Sequence, residues 1–363
     1  RVRATAHCAL ILTFSQREKG SEKTNVMTSP HYKFVVENDT FLRLIQVVLD
    51  PSAPEERIEA FAHFCLHDLP DFRAWCERIR AQAQNLYPSE VRLVDDQDEL
   101  RANLPNANVA VIEELSVGAQ EIAAAGSTLK FVQKYGFTTR NIDADACAKA
   151  GAQILTIRRR ANISTAEQGL MLMLALERQV TQNANLISVE QLNAAGYAPT
   201  TYNRAHTPNG NWARIPNMVT LYQRQLGIVG LGEIGRELAL RASALGMPIV
   251  YTQRTRLPAE VEQQYQATYM ELDELLASSD FVSLHLPRNS MTIDFIGERE
   301  LALIKPGVFL INVSQPNLVE RNALCRALAS GHLGGFGLDT FYEEPGDAND
   351  PLTAPSHRND ALD

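Results

Sequence analysis

The stretch GIVGLGEIGREL, from Gly227 to Leu238, decides the fold of this 363-residue chain. It places three glycines, Gly230, Gly232 and Gly235, between a short apolar run and a segment with helical periodicity. In such a context the first glycine makes a tight turn, the second lets backbone approach a pyrophosphate, and the third lets helix and strand pack closely. The free amides at the start of the helix then bind the phosphates. The pattern predicts a strand–loop–helix unit that binds a dinucleotide.

The residues after the loop bear on which dinucleotide it binds. FAD and S-adenosylmethionine use similar loops, and a glycine-rich turn without a ligand also fits the pattern. A second strand, PIVYT, follows the helix, and NAD-binding folds place Asp or Glu at its end to hold the ribose 2′-hydroxyl. Here Gln253 takes that place, and Arg254 and Arg256 follow. Because a 2′-phosphate would meet cations and no repulsion, we expect NAD or NADP, with a preference for NADP.

Composition limits the remaining classes of function. The chain is 45% hydrophobic and 21% charged, as in ordinary globular proteins, and it is long enough for two domains. Its net charge of -9 argues against nucleic acid, and no apolar run approaches the ~20 residues that cross a membrane. The five cysteines are scattered, which predicts free thiols in the cytoplasm. His63 and His67 have helical i, i+4 spacing but lack a third ligand, so we predict no metal site.

Apolar periodicity organises the rest of the chain into an α/β fold. Short apolar runs predict strands that alternate with helices, and this alternation is typical of a parallel sheet. Between residues 41 and 87 the apolar spacing changes to three and four, which predicts helices only. Ser164 and Glu167 fit a capping box at the start of a long apolar helix that ends near Gln179. The strands are expected at 33–38, 90–94, 109–115, 129–136, 152–157, 225–230 and 248–252.

Three further segments resemble the D-isomer-specific 2-hydroxyacid dehydrogenases. They are YGFTTRNIDADACAKAGAQILT (135–156), SDFVSLHLP (279–287) and the run from 301 to 345, and the resemblance covers about residues 90–350. It implies two Rossmann-like domains with parallel sheets, a discontinuous substrate domain, a homodimer, and a small 2-keto or 2-hydroxy acid as substrate. We expect a non-native or read-through leader (1–26), a substrate domain (27–160) with a helical insertion (41–87), a nucleotide domain (161–345) and a truncated return segment (346–363).

The resemblance also implies roles for individual residues. The backbone amides of Tyr135, Gly136 and Phe137 are expected to bind the substrate carboxylate. The expected cofactor-binding residues are Gly230, Gly232, Glu233, Ile234, Gly235, Gln253, Arg254, Leu286, Pro287, Thr292, Val313, Ser314 and Asp339.

The catalytic residues that the resemblance implies are present only in part. The family uses Arg to hold the keto acid, His as the acid and Glu to keep that acid charged. Glu344 matches the glutamate, Gln315 stands in the place of the arginine, and His357 is the one histidine after Glu344. His357 sits in a polar loop sequence, so we expect a surface residue and the family histidine to be missing. Loss of a charged donor predicts a rate about 10²-fold lower or worse, unless one of the arginines at 158–160 substitutes.

Two functions therefore stay open. The first is an NAD(P)-dependent oxidoreductase of small 2-hydroxy acids with little turnover in this copy. The second is a dinucleotide-binding protein without catalysis, such as a redox sensor or a scaffold.

Overall fold

The computed structural model describes residues 32–201, 203–207 and 210–339 and the backbone of 356–357. The chain divides into two compact units, an N-terminal unit that ends at Ala161 and a C-terminal unit that begins at Asn162. Each unit contains a sheet of mainly parallel strands with helices on both faces, which confirms the predicted α/β class. Among the described helices, none is both long and apolar enough to cross a bilayer.

The N-terminal unit contains a five-stranded sheet in the order β2-β1-β3-β4-β5, and every neighbouring pair is parallel. Its elements, in chain order, are β1 (Lys33–Glu37), α1 (Arg43–Leu49), α2 (Glu55–Cys65), α3 (Phe72–Gln82), β2 (Glu90–Val94), α4 (Gln97–Asn103), β3 (Val109–Ile112), α5 (Ala119–Ala125), β4 (Phe131–Lys134), α6 (Ala144–Ala150) and β5 (Gln153–Thr156).

The predicted helical insertion forms one face of this sheet. Phe34 and Val36 of β1 pack in one apolar cluster with Trp75 of α3, whereas Val35 packs in another with Leu100 of α4. Alternate side chains of a strand point to opposite faces, so β1 is fully buried between the insertion and the later helices. The helices within 41–87 are thus part of the core, and α2, which has no buried residue, is their exposed member.

The C-terminal unit contains a seven-stranded sheet in the order β12-β11-β10-β9-β6-β7-β8, parallel except for β12. Its elements are α7 (Arg160–Glu177), which starts two residues before the unit boundary, α8 (Val180–Asn183), α9 (Val189–Ala194), β6 (Leu226–Val229), α10 (Glu233–Ala244), β7 (Ile249–Thr252), α11 (Ala259–Tyr265), β8 (Ala267–Tyr269), α12 (Leu272–Ser278), β9 (Phe281–Leu284), α13 (Glu298–Leu303), β10 (Val308–Asn312), α14 (Arg321–Ala329), β11 (Leu333–Leu338) and β12 (Ser356–His357).

The expected start of the long helix is wrong by one turn. Helix α7 begins at Arg160, so Ser164 lies inside it and does not cap it. The carboxylate of Glu167, which a capping box would turn back, instead accepts from Arg241 of α10 at 3.0 Å. Arg and Ala are strong helix formers, and Arg160 and Ala161 extend the helix toward the preceding strand.

Candidate functional site

The first glycine of the fingerprint is required by backbone geometry. Strand β6 lies between β7 and β9 with parallel pairing to both, so the loop after it leaves the carboxyl edge of the sheet. Gly230 has φ +97, which side chains rarely adopt, and a Cβ there would lie 2.6 Å from the carbonyl oxygen of His285. The neighbouring strand end thus fits against the loop only because residue 230 has no side chain.

The other two glycines have opposite surroundings. A Cβ on Gly235 would lie 2.4 Å from the carbonyl oxygen of Gly230, so this glycine lets α10 approach the loop. A Cβ on Gly232 would meet nothing within 4 Å. Gly232 is the N-cap of α10 and brings no side chain to the first amides of the helix. These features fit a pyrophosphate bound at the helix N-terminus, because they leave open the space that the phosphates would need.

The first two residues of α10 have side chains that contact other parts of the C-terminal unit. Glu233 is the first residue of the helix, and its Oε2 accepts a hydrogen bond from Nδ2 of Asn162 at 2.8 Å. Ile234 packs against the apolar cluster beneath the sheet. Asn162 was not among the predicted residues, and no periodicity in the sequence marks it as a partner of the glycine loop.

Two arginines follow the end of β7, and one of them, Arg256, is held in place by hydrogen bonds. Arg256 donates to both carboxylate oxygens of Glu262, at 2.8 and 2.9 Å. These hydrogen bonds, with a further one from Tyr251, hold the pKa of Glu262 at about 2. Within the described part of the chain Arg254 is exposed and makes no ion pair, while Gln253 donates to the carbonyl of Thr255 at 2.6 Å. Of the two cations predicted for a 2′-phosphate, only Arg254 remains available.

The end of β9 lies against the glycine loop. Leu286 Cδ2 would be 3.0 Å from a Cβ at Gly230, and Thr292 closes the following loop by donating to the carbonyl of Pro287 at 2.7 Å. His285 has a hydrogen-bond partner at only one of its two ring nitrogens among the described residues. Its Nε2 lies 2.9 Å from Ser283 Oγ, and its Nδ1 is buried without a partner among the described residues. Burial lowers the pKa of His285 to about 3, so the ring is neutral near pH 7.

The ends of β10 and β11 complete the same edge. Val313 is buried, Ser314 donates to the carbonyl of Leu284 at 2.9 Å, and Gln315 is exposed. The buried Asn312, which was not predicted, organises this turn: its Nδ2 donates to the carbonyl of Gln315 at 2.8 Å. Its own carbonyl accepts from the amide of Asp339, at 3.1 Å. Glu344 and the side chain of His357 lie outside the described residues.

The predicted substrate loop follows β4 in the N-terminal unit. Here one prediction is wrong: the amide of Tyr135 donates to the carbonyl of Ile112 at 2.8 Å, because β-sheet pairing continues one residue past β4. That amide is therefore not open to a substrate. Gly136 has φ +147, which explains a glycine at this turn, and its carbonyl accepts from the amide of Ile157 at 2.9 Å. The predicted roles of Gly136 and Phe137 stay predictions.

Other groups at this edge are bound to one another. The carboxylate of Glu37 accepts from the amides of Glu113, Glu114 and Leu115, at 2.6 to 3.0 Å. Arg159 pairs with the carboxylate of Glu113 and lies 5.0 Å from the centre of the Tyr135 ring. Burial raises the pKa of Glu113, and the charge of Arg159 opposes the shift. Of the arginines at 158–160, Arg159 is thus already paired inside its own unit. The described residues contain no group of three potential metal ligands.

Comparison with known protein families finds a match that includes this edge of the C-terminal unit. Residues 170–359 match the family model described as D-isomer specific 2-hydroxyacid dehydrogenase, NAD binding domain. The chain belongs to the D-isomer-specific 2-hydroxyacid dehydrogenases. The matched residues include the glycine loop and the ends of β7, β9, β10 and β11, so the family's nucleotide domain contains every predicted cofactor-binding residue of this chain.

Three relatives illustrate the extent of the similarity. A glyoxylate reductase from Thermococcus litoralis is 36% identical over 62% of this chain and 64% of its own length. A glyoxylate reductase from Thermococcus onnurineus is 33% identical over 70% of this chain and 74% of its own. A D-3-phosphoglycerate dehydrogenase from Mycobacterium tuberculosis is 34% identical over 70% of this chain, but over only 45% of its own length. The family members matched here therefore extend beyond the aligned region.

Proposed function

We propose that the C-terminal unit binds a nicotinamide dinucleotide at the amino end of α10. The observation that carries this proposal is a contrast between the three glycines. Backbone atoms lie too close to Gly230 and Gly235 for either to have a side chain, whereas the space beside Gly232 is open. A loop that needed glycine only for packing would have no reason to keep the middle position clear. The pyrophosphate would accept hydrogen bonds from the first amides of α10, in the positive end of the helix dipole.

Within this site we propose a preference for NADP over NAD. Gln253 brings no negative charge to the adenosine ribose, and the exposed Arg254 is able to pair with a 2′-phosphate. Arg256 contributes nothing directly, because both of its side-chain hydrogen bonds are donated to the carboxylate of Glu262. Arg254→Gln is expected to weaken NADPH binding about tenfold and to leave NADH binding within about twofold. Arg256→Gln is the matched control, and equal losses for both nucleotides would contradict the assignment.

The reaction that we propose is the reversible reduction of a small 2-keto acid to a D-2-hydroxy acid. The nicotinamide, when bound, supplies the hydride. The amide of Gly136, and that of Phe137, would hold the substrate carboxylate, and Gln315 would donate a hydrogen bond to the substrate. The alkoxide that hydride transfer leaves would take its proton from an acid that Glu344 keeps charged, as the family's glutamate does for its histidine. Gln315 offers a neutral donor where the family has an arginine, so transition-state charge is poorly stabilised and we propose slow turnover.

The experiment combines binding and turnover. NADH and NADPH are titrated into the protein by calorimetry, and oxidation is then followed with glyoxylate, hydroxypyruvate and pyruvate. We expect binding with little turnover, and a rise in kcat of about 10²-fold in Gln315→Arg. Absence of binding by the folded protein would refute the nucleotide site. Turnover as fast as that of relatives with arginine at this position would refute the role given to Gln315.

A second candidate is a dinucleotide-binding sensor or scaffold without catalysis, and the exposed, uncharged Gln315 favours it. It predicts nucleotide binding in both the wild type and Gln315→Arg, with no oxidation in either. We also propose a homodimer, to be tested by light scattering. The described cysteines Cys65, Cys76, Cys147 and Cys325 are all free thiols, which supports a reducing, cytoplasmic location.

A further inference from the structure

The residue next to the open glycine carries the wrong charge for a phosphate site. Glu233 is the first residue of α10 and directly follows Gly232. A carboxylate at this position interacts favourably with the helix dipole of the free protein. It is also an anion beside the amides that a pyrophosphate would need, so it can compete for those amides and repel the incoming phosphates.

The structure contains a contact that restrains this carboxylate. Asn162 is the third residue of α7, is 7% exposed, and donates from Nδ2 to Oε2 of Glu233 at 2.8 Å. A buried amide on a long helix has little freedom to follow a moving partner, so the hydrogen bond restrains the carboxylate. Both residues lie in the C-terminal unit.

We propose that Asn162 is a positioning residue, which holds the carboxylate of Glu233 away from the first amides of α10 so that a pyrophosphate can bind there. This inference rests on the proposed nucleotide site. In this account the charge of Glu233 lowers nucleotide affinity, and the hydrogen bond from Asn162 limits that effect. Loss of Asn162 then weakens binding only while residue 233 is charged.

The test is a double-mutant cycle on nucleotide affinity. Dissociation constants for NADH and NADPH are measured by calorimetry for the wild type, Asn162→Ala, Glu233→Gln and the double variant. We expect Asn162→Ala to bind about tenfold more weakly, and Glu233→Gln about threefold more tightly. In the Glu233→Gln background, the added Asn162→Ala is expected to change affinity by less than about twofold. Because the repulsion is electrostatic, the loss in Asn162→Ala should shrink between about 50 mM and about 500 mM salt.

The control is a second polar contact between the same two helices. Glu167 of α7 accepts from Arg241 of α10 at 3.0 Å, and Glu167→Gln is expected to leave nucleotide affinity unchanged. Thermal unfolding of each variant identifies any loss of fold, and the half-buried Glu233 tolerates Gln even if Asn162→Ala unfolds. Equal weakening by Asn162→Ala in both backgrounds, or no tightening in Glu233→Gln, would overturn the inference alone. A wild type that binds neither nucleotide would overturn the proposed function with it.

Discussion

The two sheets of this protein end in different ways at their carboxyl edges. In the C-terminal unit the loop after β6 leaves open space at the start of α10, because Gly232 has no side chain and a Cβ there would meet nothing within 4 Å. In the N-terminal unit the loop after β3 presents three successive amides, and the carboxylate of Glu37 accepts from all of them. One edge is open to an external anion, and the other is filled by an internal one.

This contrast shows that topology alone does not make a binding site. Parallel sheets place loops and helix N-termini at their carboxyl edges, and ligands of α/β proteins bind there. Both units satisfy that rule, yet the loop after β3 has its amides occupied by Glu37, whereas the loop after β6 leaves the space beside Gly232 clear. At the N-terminal edge even the cation Arg159 is paired, with Glu113. We infer that the nucleotide binds at the edge whose amides are not already bound by side chains of the same unit.

The largest expected effect comes from the glycine that locks the open loop. Gly235→Ala would place a Cβ 2.4 Å from the carbonyl oxygen of Gly230, where backbone must move. We expect the C-terminal unit to lose about 3 kcal/mol of stability, and nucleotide binding with it. Urea unfolding by circular dichroism, with hydrogen exchange on β6, measures the loss. A loss below about 1 kcal/mol would mean that α10 does not depend on this approach.

The filled edge should depend in a similar way on Glu37. Glu37→Leu leaves the amides of Glu113, Glu114 and Leu115 without their acceptor, and we expect a loss of about 2 kcal/mol. Fluorescence of the buried Trp75 reports unfolding of this unit. Glu114→Gln, at an exposed position of the same loop, is the control and should change stability by less than about 0.5 kcal/mol. If the two variants behave alike, water already satisfies the amides and the edge is not filled.

The sequence indicated the open edge well and the filled edge poorly. The strand expected at 225–230 is found at Leu226–Val229, because an apolar run that ends in glycine leaves little choice of structure. Glu37, by contrast, contacts amides more than 75 residues away in the chain, and no local pattern encodes such a contact. Asn162 and Glu233 are 71 residues apart in the chain, and their hydrogen bond could not be predicted from the sequence either. Backbone spacing is a local property, whereas the satisfaction of charges depends on tertiary structure.

Two errors have the same origin. The Ser164 capping box has the right residues, but tertiary pairing of Glu167 with Arg241 and the extension of α7 to Arg160 override it. The amide of Tyr135 was assigned to a substrate, although β-sheet pairing with Ile112 uses it. In both cases the sequence contained the expected residues, but a hydrogen-bonding group of the motif is bound to another element: the Glu167 carboxylate to Arg241, and the Tyr135 amide to Ile112.

Acid should separate the edges through His285, the buried ring beside the open loop. Its folded pKa, about 3, lies below the ordinary value of 6.5, so the unfolded chain takes up a proton first as the pH falls. The stability is complete above about pH 6.5 and declines toward pH 3, by about 2 kcal/mol at pH 5. Unfolding of the C-terminal unit at pH 7 and pH 5 measures this, and His285→Gln should flatten the slope. His63→Gln, on α2, is the control; an equal slope in wild type and His285→Gln would contradict the assignment.

The prediction with the smallest expected effect tests most directly whether the space beside α10 is a binding site, because it compares two N-cap glycines. Gly232 caps α10 at the open edge, and Gly118 caps α5 at the filled edge. Both have negative φ and room for a Cβ, so Ala at either position should leave stability within about 0.5 kcal/mol. Only Gly232→Ala places a methyl group in the path of the pyrophosphate, and we expect it to weaken NADH and NADPH binding at least about tenfold, near 1.4 kcal/mol.

Calorimetric titration of both variants separates three cases. Weakening in Gly232→Ala alone identifies the empty space beside α10 as the nucleotide site. Weakening in neither variant means that the space is an accident of packing, and the fingerprint binds its ligand elsewhere or binds none. Weakening in Gly118→Ala as well would make this N-terminal loop necessary for affinity, although Glu37 already accepts from the amides of Glu113, Glu114 and Leu115. In that case the distinction between an open and a filled edge fails, because the nucleotide would then depend on a loop in which three amides already donate to Glu37.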